Sequence, residues 1–199
     1  MEKLFNISGI ILSGGKSLRM GKNKAFIEID GISMIDRTIN LFKKIFNEIL
    51  VITNNKEQFL HINHAKIYND LIPFKGALGG LYTGLFYSSY EYSFCVACDM
   101  PFLNESLIKY LISKLNGEDI IVPKTKEGLE PLHALYSKRC LSPIKEMIDS
   151  GKSRIIDIYP LLNVKVIEEN EFIALDPGRK SFLNINTPEE LDRIKRMNS

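Results

Sequence analysis

Short apolar runs recur along this chain, each stopped by glycine, asparagine or aspartate, and they alternate with stretches whose apolar residues follow helical spacing. That alternation is the pattern of βαβ units, because a strand buried on both faces reads as a continuous apolar run while its crossover helix buries one stripe. Residues 8–12 form the first expected strand. Ser33 caps an expected helix whose Ile35, Ile39, Phe42 and Ile45/Phe46 share a face. Residues 49–52 and 65–68 are expected strands, ending in Thr53-Asn54-Asn55 and Asn69-Asp70. The glycine-rich segment 73–81 opens a helix to about Ser88. A fourth strand, 93–98, stops at Asp99-Met100-Pro101.

Asn104 caps the next helix, to about Leu115, and 119–122 is a fifth strand. Residues 132–136 read as an extended return. Pro143 suits the first turn of a helix reaching Asp149. The stretch from Gly151 to Leu162 is expected to be helical, 164–168 and 182–185 to be short strands, and Thr187-Pro188 to open a last helix. The expected architecture is one domain, residues 1–199, with three α/β/α layers, Rossmann-like, around a mostly parallel sheet. Ligands of such sheets bind at the carboxyl ends of the strands. Four expected strands end in Gly14, Asn54-Asn55, Asp70 and Asp99, so these residues are expected on one rim.

Composition adds bounds. The chain has 199 residues, 45% hydrophobic and 25% charged, which suffices for a core without staples. A net charge of +2 does not point to nucleic acid or a membrane surface as partner. No apolar run is long enough to span a bilayer, and the first residues lack a signal-peptide core. Three cysteines, Cys95, Cys98 and Cys140, cannot all pair, which favours a reducing, cytoplasmic setting. Cys95 and Cys98 lie three apart in an expected strand and so face opposite ways, which makes core packing their reading rather than a metal or redox pair. His61 and His64 have no third ligand near in sequence and are expected at the surface.

The local charge pattern says more than the total. Residues 12–24 contain Lys16, Arg19, Lys22 and Lys24 with no acidic residue, directly after Gly14-Gly15. A glycine pair bares backbone N–H groups to an anion, and the cations supply counter-charge, so a polyphosphate cradle is the natural use. The Walker spacing is absent, since five residues separate Gly15 from Gly21, and so is the dinucleotide fingerprint. Lys16 and Lys22 also fit simple solvation. Asp99, at the end of an apolar strand on the same rim, fits a Mg²⁺ ligand that shares the metal with substrate phosphates, though an Asp opening a turn before Pro101 is the plain alternative. Asp70 leaves the same choice open.

Residues 12–26, LSGGKSLRMGKNKAF, resemble the signature of nucleotidyltransferases that activate small phosphorylated molecules, and within them the molybdenum cofactor guanylyltransferases. Further similarity lies in Cys98-Asp99-Met100-Pro101, in Asp70 followed by Gly76-Ala77-Leu78-Gly79-Gly80, and in Asn184-Ile185-Asn186-Thr187-Pro188-Glu189-Glu190. Ala77 stands where that family often has Pro. The resemblance implies transfer of GMP from GTP to molybdopterin with Mg²⁺ as cofactor. It places Leu12, Ser13, Gly14, Gly15, Lys24, Asn55, Asp70 and Asp99 on GTP, with Arg19, Lys24 and Asp99 catalytic and Asp99 the metal ligand. The asparagine alignment is uncertain by one residue between Asn54 and Asn55. His133, Arg154, Asn184 and Asn186 are expected near molybdopterin, the two asparagines sharing a strand face. Transient contact with molybdenum cofactor carriers or target molybdoenzymes is a further expectation. A cytidylyl or sugar-phosphate transferase and a non-catalytic GTP-binding regulator remain alternatives.

Overall fold

In the computed structural model, residues 5–14, 23–185 and 190 are described. Strand β1 (Phe5–Ser13) is followed by a 3₁₀ turn (Lys24–Phe26), a small hairpin of β2 (Glu28–Ile29) and β3 (Ile32–Ser33), helix α1 (Met34–Phe42), strand β4 (Phe46–Thr53), and strand β5 (Lys66–Asn69). Then come α2 (Gly76–Tyr87), β6 (Tyr92–Ala97), α3 (Glu105–Ser113), β7 (Ile120–Thr125), β8 (Gly128–Leu129), β9 (His133–Ser137), α4 (Leu141–Asp149), β10 (Val164–Glu168) and α5 (Glu169–Phe172). The main sheet runs β10-β7-β9-β6-β1-β4-β5, with β8 added to β7. Its pairs are parallel except where β9 runs against β6 and β7, and β8 against β7. The expected three-layer α/β/α domain with a mostly parallel sheet is what forms.

Strand alternation builds the two outer layers. Ile7 and Ile11 face one side with Val51, Phe94 and Val96, where α1, α3 and Phe172 of α5 cover them. Ile10 and Leu12 face the other with Leu50, Ile52 and Cys95, under α2 and α4. Close approach of α2 depends on small residues: a Cβ on Gly84 would stand 2.7 Å from Ile10 Cδ1, and one on Gly80 would stand 3.2 Å from a Leu12 methyl. Cys95 and Cys98 fall on opposite faces, buried and unpaired, as their spacing requires.

Several expectations are corrected. Helix α1 ends at Phe42, and Phe46 opens β4. Helical spacing persists through Ile45/Phe46 because both side chains enter the same core, with the Phe42 and Phe46 rings 4.8 Å apart and edge-on. The Gly151–Leu162 stretch is helical only as a 3₁₀ segment, Ile155–Leu161. Residues 182–185 are not a strand: Lys180–Phe182 is a 3₁₀ turn, held by the Asp176 carboxylate, which accepts the N–H groups of Lys180 and Ser181. The expected helix at Thr187-Pro188 lies outside the described residues. Among the described residues, no helix is long and apolar enough to cross a membrane.

Candidate active site

The strand register gathers the rim. Ser13 is level with Thr53, Thr53 with Asn69, and Leu12 with Ala97, so Gly14, Asn54, Asp70 and Asp99 follow β1, β4, β5 and β6 out of one edge of the sheet. Each exit is tied to its neighbour. The Asp70 N–H donates to the Thr53 carbonyl at 2.8 Å, and the Cys98 N–H to the Leu12 carbonyl at 3.0 Å.

Asp99 is fixed through its backbone and left open at its side chain. Its carbonyl accepts the Ile185 N–H at 3.0 Å, and the next residue, Met100, is buried in the core. Its Oδ2 lies 3.4 Å from Lys24 Nζ, the two side chains being 20% and 12% exposed. Both are mostly shielded but reachable. Lys24 reaches this point because its turn is well anchored: the Asn23 side chain accepts the Ala25 N–H, Ala25 is buried, and Phe26 packs on Phe59 at 4.9 Å. Lys24 therefore faces a carboxylate here, not solvent.

Asp70 is tethered by one oxygen. Its Oδ1 accepts the Thr83 hydroxyl at 2.7 Å and the Ile72 N–H at 3.0 Å. Among the described residues nothing donates to Oδ2. Gly79 keeps that oxygen clear, because a Cβ there would stand 3.3 Å from it and 2.6 Å from the Ile72 carbonyl. Thr83 and Gly79 are contributors that sequence spacing does not disclose; a threonine thirteen positions after Asp70, inside a helix, carries no local signal. Helix α2 begins beside Asp70, and Lys75 at its N-cap offers no side-chain cap, so its first N–H groups and positive dipole end face the rim.

Of the two adjacent asparagines, Asn54 is the one that lies against Gly14, while Asn55 is the one the resemblance places on GTP. A Cβ on Gly14 would stand 3.5 Å from the Asn54 amide nitrogen, which puts Asn54 beside Gly14. Asn55 instead starts the 3₁₀ turn Lys56–Phe59, with its N–H on the Thr53 hydroxyl. Leu12 and Ser13 are buried at the end of β1. Gly15 and Arg19 lie outside the described residues, as does Asn186.

The remaining expected residues spread out. His133 has no exposed surface: it sits between Phe94 and Phe182, at 5.1 and 4.9 Å between ring centroids, and burial lowers its pKa to about 3. A neutral, enclosed imidazole cannot touch a ligand in this arrangement, so the expected contact is corrected. Arg154 is exposed and paired with Asp157 at 2.7 Å. Asn184 is exposed, one residue before the Ile185 N–H that binds Asp99, and so belongs to the rim.

No three His, Cys, Asp or Glu side chains among the described residues cluster as a metal cage. Mg²⁺ keeps several waters and needs only one or two carboxylates when substrate phosphates supply other oxygens. Asp99, with an oxygen free of described donors, fits such a role; Cys98 beside it does not, since burial pushes its thiol up to about 12.

A mostly parallel sheet that gathers a glycine, an amide, carboxylates and a shielded lysine on its carboxyl rim is a nucleotide-handling α/β domain. More narrowly, this chain belongs to the MobA-like NTP transferase family, whose domain model matches residues 9–164. It is 42% identical over 191 residues, 95% of this chain and 94% of the relative, to a molybdenum cofactor guanylyltransferase of Desulfosudis oleivorans. A crystal structure of molybdopterin-guanine dinucleotide biosynthesis protein A from Archaeoglobus fulgidus shares the fold with a TM-score of 0.83 at 23% identity, covering 96% of this chain and 98% of that one. The 4-diphosphocytidyl-2C-methyl-D-erythritol synthase of Anaerococcus prevotii shares it with a TM-score of 0.73 at 14% identity, covering 96% and 95%.

Proposed function

We propose that this protein transfers GMP from GTP to molybdopterin, releasing pyrophosphate and forming the guanine dinucleotide cofactor. The observation that carries the proposal is the Lys24–Asp99 pair on the Gly14 rim of a chain in this family. The terminal phosphate of molybdopterin is already an anion at neutral pH, its second pKa being about 6, so attack on the α-phosphate needs no general base. What the reaction requires is alignment and neutralisation of negative charge. Asp99 would hold the divalent cation, and Mg²⁺ there would supply Lewis-acid neutralisation of the phosphates. Lys24, already within 3.4 Å of Asp99, faces the same phosphates. Arg19 belongs to the same proposal from its place in the signature.

The donor side of the rim is the Gly14 turn, Asn54 and Asp70. Guanine presents two donors on its pairing edge, and the open Oδ2 of Asp70 together with backbone carbonyls suits it. Asn184 and Arg154 are assigned to molybdopterin, which completes the proposal on the acceptor side. The three buried free thiols support the reducing cytoplasm as the setting.

The test is pyrophosphate release and product formation with GTP, Mg²⁺ and molybdopterin, run beside CTP and ATP. GTP is expected to exceed CTP by roughly a hundredfold, because each mismatched buried polar group costs about 1–3 kcal/mol. No pyrophosphate would leave a GTP-binding regulator. A CTP preference would move the chain to the cytidylyl transferases, whose fold it also shares.

A further inference from the structure

One carboxylate on the rim has no part in the chemistry above. Strand β7 is parallel to β6, since β9 runs against both, so Thr125 at the end of β7 and the residues after it stand on the same edge as Asp99. β7 lies two strands from β6, roughly 10 Å along the rim, on the side opposite Gly14, Asn54 and Asp70. Glu130 is fixed there. Its N–H donates to the Pro123 carbonyl at 2.9 Å, and its carbonyl accepts the His133 N–H at 3.0 Å. The following Pro131 carbonyl takes the buried Tyr136 hydroxyl at 2.6 Å.

Only half of this carboxylate is used. Oε1 accepts the Thr125 hydroxyl at 3.1 Å, and among the described residues nothing donates to Oε2. Among the described residues no cation pairs with it, and Glu127 adds a like charge nearby. Burial, opposed by the Thr125 hydroxyl and reinforced by Glu127, pushes its pKa above the usual range. A half-buried carboxylate short of donors is costly unless something supplies them.

We infer that Glu130 reads the pterin ring of the acceptor, its carboxylate receiving the ring N3–H and the 2-amino group. The inference rests on the proposed guanylyl transfer. In that reaction the attacking phosphate stands in line with the departing pyrophosphate, and the acceptor takes a part of the rim that the guanosine does not cover. With the transfer point at Asp99 and the nucleotide toward β1, β4 and β5, the acceptor extends over β9 and β7. A 2-amino-4-oxo pterin presents two adjacent donors along one edge, which is the pairing a carboxylate accepts best. Glu130 is a binding and specificity residue, distant from the bond that breaks.

The test uses the full chain with GTP, Mg²⁺ and molybdopterin. Glu130→Gln keeps an oxygen for Thr125 but turns an amide N–H₂ toward the two pterin donors. It is expected to raise the KM for molybdopterin at least fivefold, and by about tenfold to a hundredfold on the usual cost of an unpaired group. kcat, the KM for GTP and the melting temperature are expected to stay near wild type. A smaller rise overturns the inference, and so does a rise in the KM for GTP instead, which would place Glu130 on guanine. Thr125→Val removes the anchor while keeping the carboxylate; if it alone reproduces the effect, Glu130 is only a prop for the β7–β8 hairpin and the inference falls. If the wild-type protein transfers no guanylyl group, the functional proposal fails first, and that result is distinct from an active wild type beside an unaffected variant.

Discussion

The two ends of the sheet both hold carboxylates, and they treat them in opposite ways. Toward the amino end, Glu48 is buried and each of its oxygens accepts two hydrogen bonds: Oε2 from the Ser8 hydroxyl at 2.6 Å and the Ser89 N–H at 2.8 Å, Oε1 from the Ser89 hydroxyl and Lys66 Nζ, both at 2.7 Å. Asp119, before β7, similarly accepts from Ser137, Arg139 and the Asn163 N–H. At the carboxyl end, Asp99 meets Lys24 at 3.4 Å, while Asp70 and Glu130 each use one oxygen. A saturated carboxylate has no capacity left for a ligand, so it serves the fold. An unsaturated one on a rigid backbone is preorganised for donors or a metal that arrive from outside. The contrast sorts the acids by how far the described donors fill them, without reference to any relative.

The largest effect that tests the contrast is at Asp99. Asp99→Asn preserves volume, the Ile185 N–H bond to its carbonyl and the neighbouring Cys98 N–H bond to Leu12, so the fold should stand, while a metal loses its anionic ligand. Guanylyl transfer is expected to fall by about a thousandfold or more. Raising Mg²⁺ should recover little of it. Near-normal turnover with unchanged metal dependence would remove Asp99 from the site.

Glu48 should behave in reverse. Burial disfavours its charge, but Lys66, Ser8 and the two Ser89 donors outweigh burial and hold its pKa down at about 2, from an ordinary 4.5. Because the folded carboxyl ionises more readily than the unfolded one, its contribution is present above about pH 4.5 and is lost as pH falls toward 2. The size is about 2–3 kcal/mol, reduced by the exposure of Lys66. Glu48→Gln is expected to lower stability at pH 7 by that order and to flatten the acid limb of the stability curve, with kcat unchanged below the melting point. Denaturant titrations from pH 7 to pH 3 measure both. An equal loss of activity and stability would blur the two ends of the sheet.

Much of this was legible in the sequence because apolar runs report burial directly. The strand ends at Gly14, Asp70 and Asp99 followed from that alone, and parallel pairing brought them level. What spacing cannot report is where a chain turns when both alternatives bury the same side chain, as at Ile45/Phe46. The β2–β3 hairpin turns at Asp30-Gly31, a turn signal that apolar runs do not report; both residues have positive φ, 53° and 75°. The Thr83 anchor of Asp70, the enclosure of His133 between Phe94 and Phe182, and the open oxygen of Glu130 are contacts between distant segments, and no local pattern encodes them.

A smaller effect concerns the glycine turn. Among the described residues the space beyond Gly14 holds one neighbour at 3.5 Å, the Asn54 amide, so a side chain there meets no close described contact but occupies the expected approach of the nucleotide. Gly14→Val is expected to weaken GTP roughly tenfold or more, with the melting temperature shifted by only a few degrees. Calorimetric titration beside a melting curve separates the two. Unchanged GTP affinity would take the Gly14 turn out of the cradle.

The finest distinction is between two adjacent asparagines. Asn54 and Asn55 are both exposed and both follow β4, so composition and exposure cannot rank them. Position does. The Asn54 amide nitrogen is the nearest described atom to the open side of Gly14, whereas Asn55 turns into the Lys56–Phe59 segment and gives no side-chain cap to it. If the nucleotide lies against Gly14, Asn54 is within reach to donate to it and Asn55 is not. A single neutral hydrogen bond contributes about 0.5–1.5 kcal/mol, so Asn54→Ala should weaken GTP by about two- to tenfold. Asn55→Ala should leave it within error. Neither side chain is buried or caps a helix, so neither change should alter stability by more than about 0.5 kcal/mol. Titrating GTP into the two variants in parallel gives the ratio directly. The reverse ranking would mean that the nucleotide passes outside the Gly14 turn, toward the edge strand β5, and that Asp70 rather than Gly14 is the centre of its site.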